Sequence, residues 1–449
     1  MATLDPVTTA QSLATAYTEP MQTRLTTQTT NAQKRSTALN TLRSALSAFD
    51  TALASLSSSK GLKTYTASFN NSGIATATTT SKAQAGSYQF HVEQLATAHQ
   101  IVFEDLPAVP VSMGGPISVQ LADGSSINVN LVAADSDSDG TISQSEIARA
   151  INQANDNQGK VVASVVTSNG QTQLLLTSSQ TGAAGAITID TSSLPAGDLQ
   201  DALSTSRQLT AAQDAVVWLG GQGGVRMQQA SNTFNSIEGV SLTFTRAMTT
   251  SESPLTLTVA DDTSGTAANV QTFIKAYNTL RTALDSLTKS GSETTTAGIF
   301  ASDAGVRALS SRLNSILRTE YSGVSLNQLG VKADRSGQLS LDSSRLEKAL
   351  LADPTALDKV FGKASISAPT GLLGDMSKYM DQWLTSGSGQ IASRQNNIQI
   401  LQKNLTVRQT RLDAQYDSFY QRYLQQFTQL QTLQAQMEQT SGLFTTSSS

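Results

Sequence analysis

Residues 391–437 read IASRQNNIQILQKNLTVRQTRLDAQYDSFYQRYLQQFTQLQTLQAQM, and two interleaved apolar rows run through them. Ile391, Ile398, Leu405, Leu412 and Phe419 stand seven apart, as do Tyr416, Tyr423, Leu430 and Met437. A seven-residue apolar repeat marks a helix whose seam faces another helix. About fifty helical residues span about 75 Å at 1.5 Å each, more than one compact core can cover. The helix therefore needs a partner along its length. Gln and Thr rather than Glu and Lys fill its flanks, so charge pairing does little to select that partner.

The expected partner is a matching heptad at 39–56, near the other end of the chain. Leu13, Tyr17, Met21 and Leu25 recur every four residues, and Leu39, Leu42, Leu46, Phe49, Leu53 and Leu56 alternate spacings of three and four. Pro20 is expected to kink or interrupt the first piece, and Gly61 to stop the second. Helical periodicity returns after Asp262, where Val270, Phe273, Ile274, Tyr277, Leu280, Leu284 and Leu287 line one face. Further helices are expected over 304–319, 343–351 and 354–361, around a hairpin at 330–341.

Between these ends the texture is β. Short β-branched or alternating runs at 74–80, 87–92, 117–121, 127–131, 161–166, 173–177, 186–189, 240–244 and 255–259 are separated by Gly, Asn-Gly, Asp-Gly and Ser-rich turns. One helix, 143–155, interrupts them. The fold class expected is multidomain α+β, with paired N- and C-terminal coiled-coil helices, a helical bundle domain and two nested β-rich domains. The expected boundaries are a terminal helical leg (1–38 and 419–449), a helical domain (39–68 and 263–418), a β-rich domain (69–104 and 208–262) and a distal β-rich domain inserted into it (105–207).

Composition removes several function classes. Of the 449 residues 38% are hydrophobic and 14% charged, against roughly 25% charged in ordinary soluble domains. The net charge of −4 is unevenly spread. Residues 1–60 hold five basic and three acidic groups, 61–272 seven and seventeen, and 273–449 eighteen and fourteen. Such a chain lacks the basic footprint a nucleic-acid binder uses to displace counterions. There is no cysteine, which excludes disulfides, thiol catalysis and cysteine-bound metals. No apolar run approaches the ~18 residues of a membrane span, and the first residues do not read as a cleavable secretory signal. No membrane insertion is expected.

One segment carries metal chemistry. Asp135, Asp137, Asp139, Gly140, Thr141 and Glu146 fit D-x-D-x-D-G-x₅-E. In that pattern three carboxylates, the carbonyl at position seven (Thr141) and a bidentate Glu at position twelve surround Ca²⁺. The residues before Asp135 read as strand, so only half of the usual helix–loop–helix is present. The competing reading is an acidic turn that caps a helix through Ser143 or Ser145 and Glu146. No cofactor is required on either reading, and Ca²⁺ is the candidate ligand. Gly220, Gly221, Gly223 and Gly224 lack the third glycine and the Lys-Ser/Thr of phosphate loops and read as a turn. His91 and His99, the two imidazoles in the chain, read as surface residues without a nucleophile. A non-enzymatic protein is expected.

Several dense motifs resemble the flagellar filament cap, or hook-associated protein 2, family across essentially the whole chain. They include Leu4-Asp5, Glu19-Pro20, the block Ala85–Ala96, Asp214-Ala215, Ser231–Thr233, Phe273–Asn278, Leu329–Val331 with Gly337–Asp342, and Arg408-Gln409 with Tyr416, Tyr423, Phe427 and Met437. The calcium-type loop departs from that family's usual polar turn. The resemblance implies a ring-like homo-oligomer at the distal tip of the flagellar filament, outside the cell, reached through the flagellar export apparatus. Its implied partners are other copies of itself, flagellin, the hook–filament junction protein and an export chaperone, and its implied role is the folding and insertion of arriving flagellin. Leu13, Tyr17, Leu25, Leu42, Leu46, Phe49, Leu412, Phe419, Tyr423, Leu430 and Met437 are the residues expected on the oligomer and filament-contact helices. The alternatives are another axial flagellar protein (flagellin or junction protein), or a surface adhesin.

Overall fold

The computed structural model describes residues 5–57, 61–168, 170–364 and 368–446. The outermost residues of the expected leg, 1–4 and 447–449, lie outside them. The chain forms two compact units, Met1–Lys63 with Thr266–Ser449, and Thr64–Gly265.

The first unit is helical. α1 (Pro6–Leu56) starts where the Asp5 carboxylate accepts the Val7 and Thr8 amides at 3.2 and 3.3 Å, with Pro6 in the first turn, where a missing N–H costs nothing. α1 continues through Pro20 without interruption. Pro20 is solvent-facing, so water can serve the backbone group that its ring leaves without a partner. Its other helices are α4 (Thr263–Thr288), α5 (Ala304–Arg318), α6 (Ser343–Ala352), α7 (Ala356–Phe361), α8 (Gly371–Leu384) and α9 (Gln390–Thr446). The heptad row of α1 from Leu39 to Leu56 packs with the apolar face of α4 and with Leu372, Leu373, Met376 and Met380 of α8 in one core. Phe49 lies 6.4 Å from Phe273 and 6.2 Å from Tyr277 by ring centroids. α8 was not expected from the sequence.

The second unit holds 17 strands among its described residues, every pairing antiparallel. A five-stranded sheet runs β1 (Tyr65–Phe69), β17 (Leu255–Asp261), β3 (Gly86–Gln94), β13 (Ala215–Leu219), β14 (Val225–Gln229). A three-stranded sheet runs β15 (Thr233–Ile237), β16 (Val240–Phe244), β2 (Ala75–Thr79). Together they enclose a core that includes Phe90, Phe234 and Phe244. The Gly-rich segment 220–224 is the turn between β13 and β14, with Gly220, Gly221 and Gly223 at positive φ.

A separate core is built from β12 (Arg207–Thr210), β4 (Ala98–Phe103), β10 (Gln171–Thr181) and β9 (Val161–Ser168) in that order, and from β11 (Ile187–Asp190), β6 (Pro116–Leu121), β7 (Ser126–Asn130). α2 (Gln144–Gln153) buries Ile147, Ala148 and Ile151 in it, and α3 (Asp198–Ser204) adds Leu199 and Leu203. A short pair, β5 (Val109–Pro110) with β8 (Thr141–Ile142), closes the loop before α2. β4 and β12 were expected in the enclosing domain. They belong to this inserted core instead, because β4 lies between β12 and β10 and buries Ile101 and Phe103 here. Back in the helical unit, β18 (Val331–Ala333) and β19 (Leu339–Leu341) form the expected hairpin.

Candidate oligomer interface and acidic loop

α1 and α9 run antiparallel. Gln22 bonds Gln409 (2.9 and 3.3 Å), Gln33 bonds Gln402 (3.3 Å) and Asn40 bonds Gln395 (3.4 Å), so one residue number rises as the other falls. Thr18, Leu25, Ala32, Leu39, Leu46 and Leu53 are buried on α1 at intervals of seven, which is the seam of a coiled coil. Toward the N-terminus the seam is made of small residues, and Ala10 and Ala14 are fully enclosed. Small side chains let two helix backbones approach closely. The corollary is a thin core, made here of Leu25, Ala32, Leu405 and Leu412.

Larger side chains are left outside. Leu13, Tyr17 and Met21 are 40%, 56% and 52% exposed, and on α9 Leu430, Leu433 and Met437 are 42%, 53% and 65% exposed. Tyr17 meets Phe419 at 4.4 Å, and Arg422 sits 5.0 Å over Phe419 and 5.1 Å over Tyr423. Leu13, Tyr17, Leu430 and Met437 thus lie on accessible surface, while Phe419 and Tyr423 are half-buried within the chain. Leu25 and Leu412 fill the thin seam. Leu42, Leu46 and Phe49 belong to the heptad expected to pair with the long C-terminal helix, but the amide pairs set α9 against residues 22–40, and these three, at most 1% exposed, pack in a core with α4 and α8. The cross-helix amide pairs were missed, although Gln395, Gln402 and Gln409 at intervals of seven were a readable signal.

In the acidic loop, Asp135, Asp137 and Asp139 each place a carboxylate oxygen within 4.8 Å of the others. Each also organises a turn. Asp135 Oδ2 accepts the Gly140 amide (3.1 Å), Asp137 the Asp139 amide (3.2 Å), and Asp139 the Thr141 amide and hydroxyl (both 2.7 Å). Ser138 (φ 60°) and Gly140 (φ 82°) take left-handed conformations, and Ile142 anchors the loop in the core. Asp135 Oδ1 is buried without a hydrogen-bond partner.

Glu146 does not join the three aspartates. One oxygen accepts the Ser136 amide (2.7 Å) and the other the Ser143 amide and hydroxyl (both 2.9 Å). The Ser143 hydroxyl in turn accepts the Glu146 amide, completing a capping box. The Ser143 and Ser136 amides hold the Glu146 carboxyl down at about 2, against an ordinary 4.5. The expected bidentate ligand is here a helix cap.

Both histidines correct the surface reading. His91 and His99 are 6% and 7% exposed. His99 Nδ1 accepts the Ile187 amide (2.8 Å), which leaves Nε2–H to donate to Gln208 (3.3 Å) and ties β4 to β11 and β12. His91 lies opposite Trp218 on β13.

The chain matches the family model for the flagellar hook-associated protein 2 N-terminus over residues 2–99, and that for the C-terminus over 212–439. The lateral flagellar hook-associated protein 2 of Vibrio parahaemolyticus is 36% identical over 383 residues, 84% of this chain and 84% of that protein. The B-type flagellar hook-associated protein 2 of Pseudomonas aeruginosa is 29% identical over 429 residues, 90% and 87% of the two chains. Among solved structures, the D1-D2-D3 domains of the flagellar cap protein FliD from Escherichia coli superpose with a TM-score of 0.65 at 25% identity. They cover 80% of this chain and 99% of that one.

Proposed function

This chain belongs to the flagellar hook-associated protein 2 family, and on that premise we propose that it caps the flagellar filament. In this reading copies of the chain assemble at the filament tip, outside the cell, after export through the flagellar apparatus, and promote folding and insertion of arriving flagellin. The hook–filament junction protein and an export chaperone are its further partners. The observation that carries the reading is the exposed apolar surface of the terminal helices. Leu13, Tyr17 and Met21 on α1 offer large side chains to water beside a seam of small residues, and Leu430, Leu433 and Met437 on α9 are exposed as well. Rows of large apolar side chains left in water along a helix suit an interaction surface. Amide pairs along the seam suit helices that must meet several neighbours in slightly different settings, because amides impose no charge pattern. Deleting the gene tests it. Short or absent filaments, with unpolymerised flagellin in the medium, are the expected outcome, and filaments of normal length would sink the proposal.

We further propose that the Asp135–Glu146 loop takes Ca²⁺, as a staple on the inserted β core. The partnerless buried oxygen of Asp135, beside two further carboxylates within 4.8 Å, supports it, since a buried carboxylate oxygen without a donor is costly. Glu146 enters the coordination shell only by giving up Ser136 and Ser143, so weak binding is expected, in the 10⁻⁴–10⁻³ M range of extracellular modules. Calorimetric titration of the whole protein with Ca²⁺ decides. Heat that disappears in Asp137→Asn supports the site. Neither heat nor a shift in melting temperature at 10 mM, a concentration on the order of ten times the weak end of that range, would leave the loop as a helix cap alone.

A further inference from the structure

We propose that Asn152 and Asn157 seal the outer edge of β9 against strand addition by another copy of this chain. β9 ends the sheet order β12-β4-β10-β9, so one side of its backbone has no neighbouring strand. In an antiparallel strand alternate residues turn both N–H and C=O to that side, and here they are Val161, Ala163, Val165 and Thr167. Asn152 donates its side-chain amide to the Ala163 carbonyl (2.7 Å), and its Oδ1 accepts the Ala163 amide (2.9 Å). Asn157 does the same for Val161, at 2.9 Å in both directions. A carboxamide has the donor and acceptor of a peptide group. Each Asn thus stands in for one residue of a fifth strand. Asp has only acceptors when ionised, and Ala offers neither.

Without these clamps the edge would be a hazard. Val162 and Val166 are 50% and 42% exposed, and Val165 and Thr167 carry no such clamp among the described residues. An exposed edge with apolar side chains is a template for pairing with another chain, and copies of a tip protein meet at high local concentration. Asn152 is solvent-facing, and α2 is already anchored by Ile147, Ala148 and Ile151. Its two bonds to Ala163 are therefore not what holds the helix in place. The same two-bond clamp occurs at Asn232 on Ala96 and at Asn278 on Leu339. The chain uses this device repeatedly where a backbone segment lacks a strand neighbour.

The test is sedimentation velocity of the full chain and of Asn152→Ala at matched concentrations, with circular dichroism to verify folding. The variant is expected to form species larger than any in the parent, at several times the parent's fraction. A further Val165→Pro, which removes an outward N–H from the same edge, is expected to suppress them. A folded variant that sediments like the parent overturns the proposal, as do large species that persist with Val165→Pro. Should Asn152→Ala fail to fold, amide exchange in the parent decides. Val161 and Ala163 are expected to exchange at least tenfold more slowly than Val165 and Thr167, and equal rates at all four would refute the seal.

Discussion

The Glu146 carboxylate is held by two backbone amides and two hydroxyls, and its acidity states what that cap is worth against pH. Its folded value of about 2 lies below its ordinary 4.5. The stabilisation is therefore fully present above about pH 4.5 and is lost as pH falls toward 2. Thermal melts of the parent and of Glu146→Gln should differ most at neutral pH and converge across that window. A constant difference from pH 7 to pH 2 would show that the charge is irrelevant. Ser143→Ala, which removes the hydroxyl half of the same box, should cost about 1 kcal/mol in denaturant unfolding. The sequence made this loop legible as a pattern of ligand types, and the structure does gather Asp135, Asp137 and Asp139. It could not say where Glu146 would turn, because capping and coordination ask for the same residue at the same position. The histidines failed for a related reason. Strand alternation assigns His91 to the face opposite Phe90 and Val92, but says nothing of what later segments lay over that face.

At the scale of elements, periodicity was the reliable signal. The heptads of α1 and α9 were readable because one seam recurs for many turns, and Leu39 through Leu56 are buried as their spacing demands. α8 was not read, because Gly371-Leu-Leu-Gly374 at its start looks like a turn and its apolar residues cover only three turns. β1, β14 and β15 are short and rich in Thr, Ser and Gln, and their pairing rather than their composition makes them strands. In the first half of α1 the apolar spacing did not reveal which face the helix buries. Leu13, Tyr17 and Met21 are the hydrophobic row, but Ala10, Ala14 and Thr18 are what the helix buries, since close approach rewards small side chains over apolar ones. Two substitutions separate these roles. Ala14→Leu should overpack the seam and destabilise the α1–α9 pair by about 1–3 kcal/mol. Tyr17→Ser should leave the helical content of the folded chain nearly unchanged while weakening self-association. Loss of folding in Tyr17→Ser, or indifference to Ala14→Leu, would reverse the assignment of the two faces.

For the whole molecule, the division into two units separates folding from assembly. Leu39–Leu56, α4 and α8 give the helical unit its main core, and the β unit has cores of its own. The distal half of the α1–α9 pair contributes a cluster of four residues. Removing everything after Ser418 takes away Phe419, Tyr423 and the exposed Leu430, Leu433 and Met437, yet none of these belongs to any of the three larger cores. The truncated chain should therefore keep its main thermal transitions within a few degrees of the parent. It should also lose higher oligomers in light scattering, and fail to restore filament growth when supplied in place of the parent. The two readouts must separate for the division to hold. Truncation that melts the helical unit would mean the tail is part of its fold, and full filament growth without the tail would remove the terminal helices from the capping surface. Salt gives an independent measure, because no ion pair among the described residues joins α1 to α9 and their cross-links are amides. Self-association through these helices should change little between low salt and about 1 M, where the Debye length falls to about 3 Å. Oligomers that dissolve as salt rises would place the decisive contacts on charged groups elsewhere.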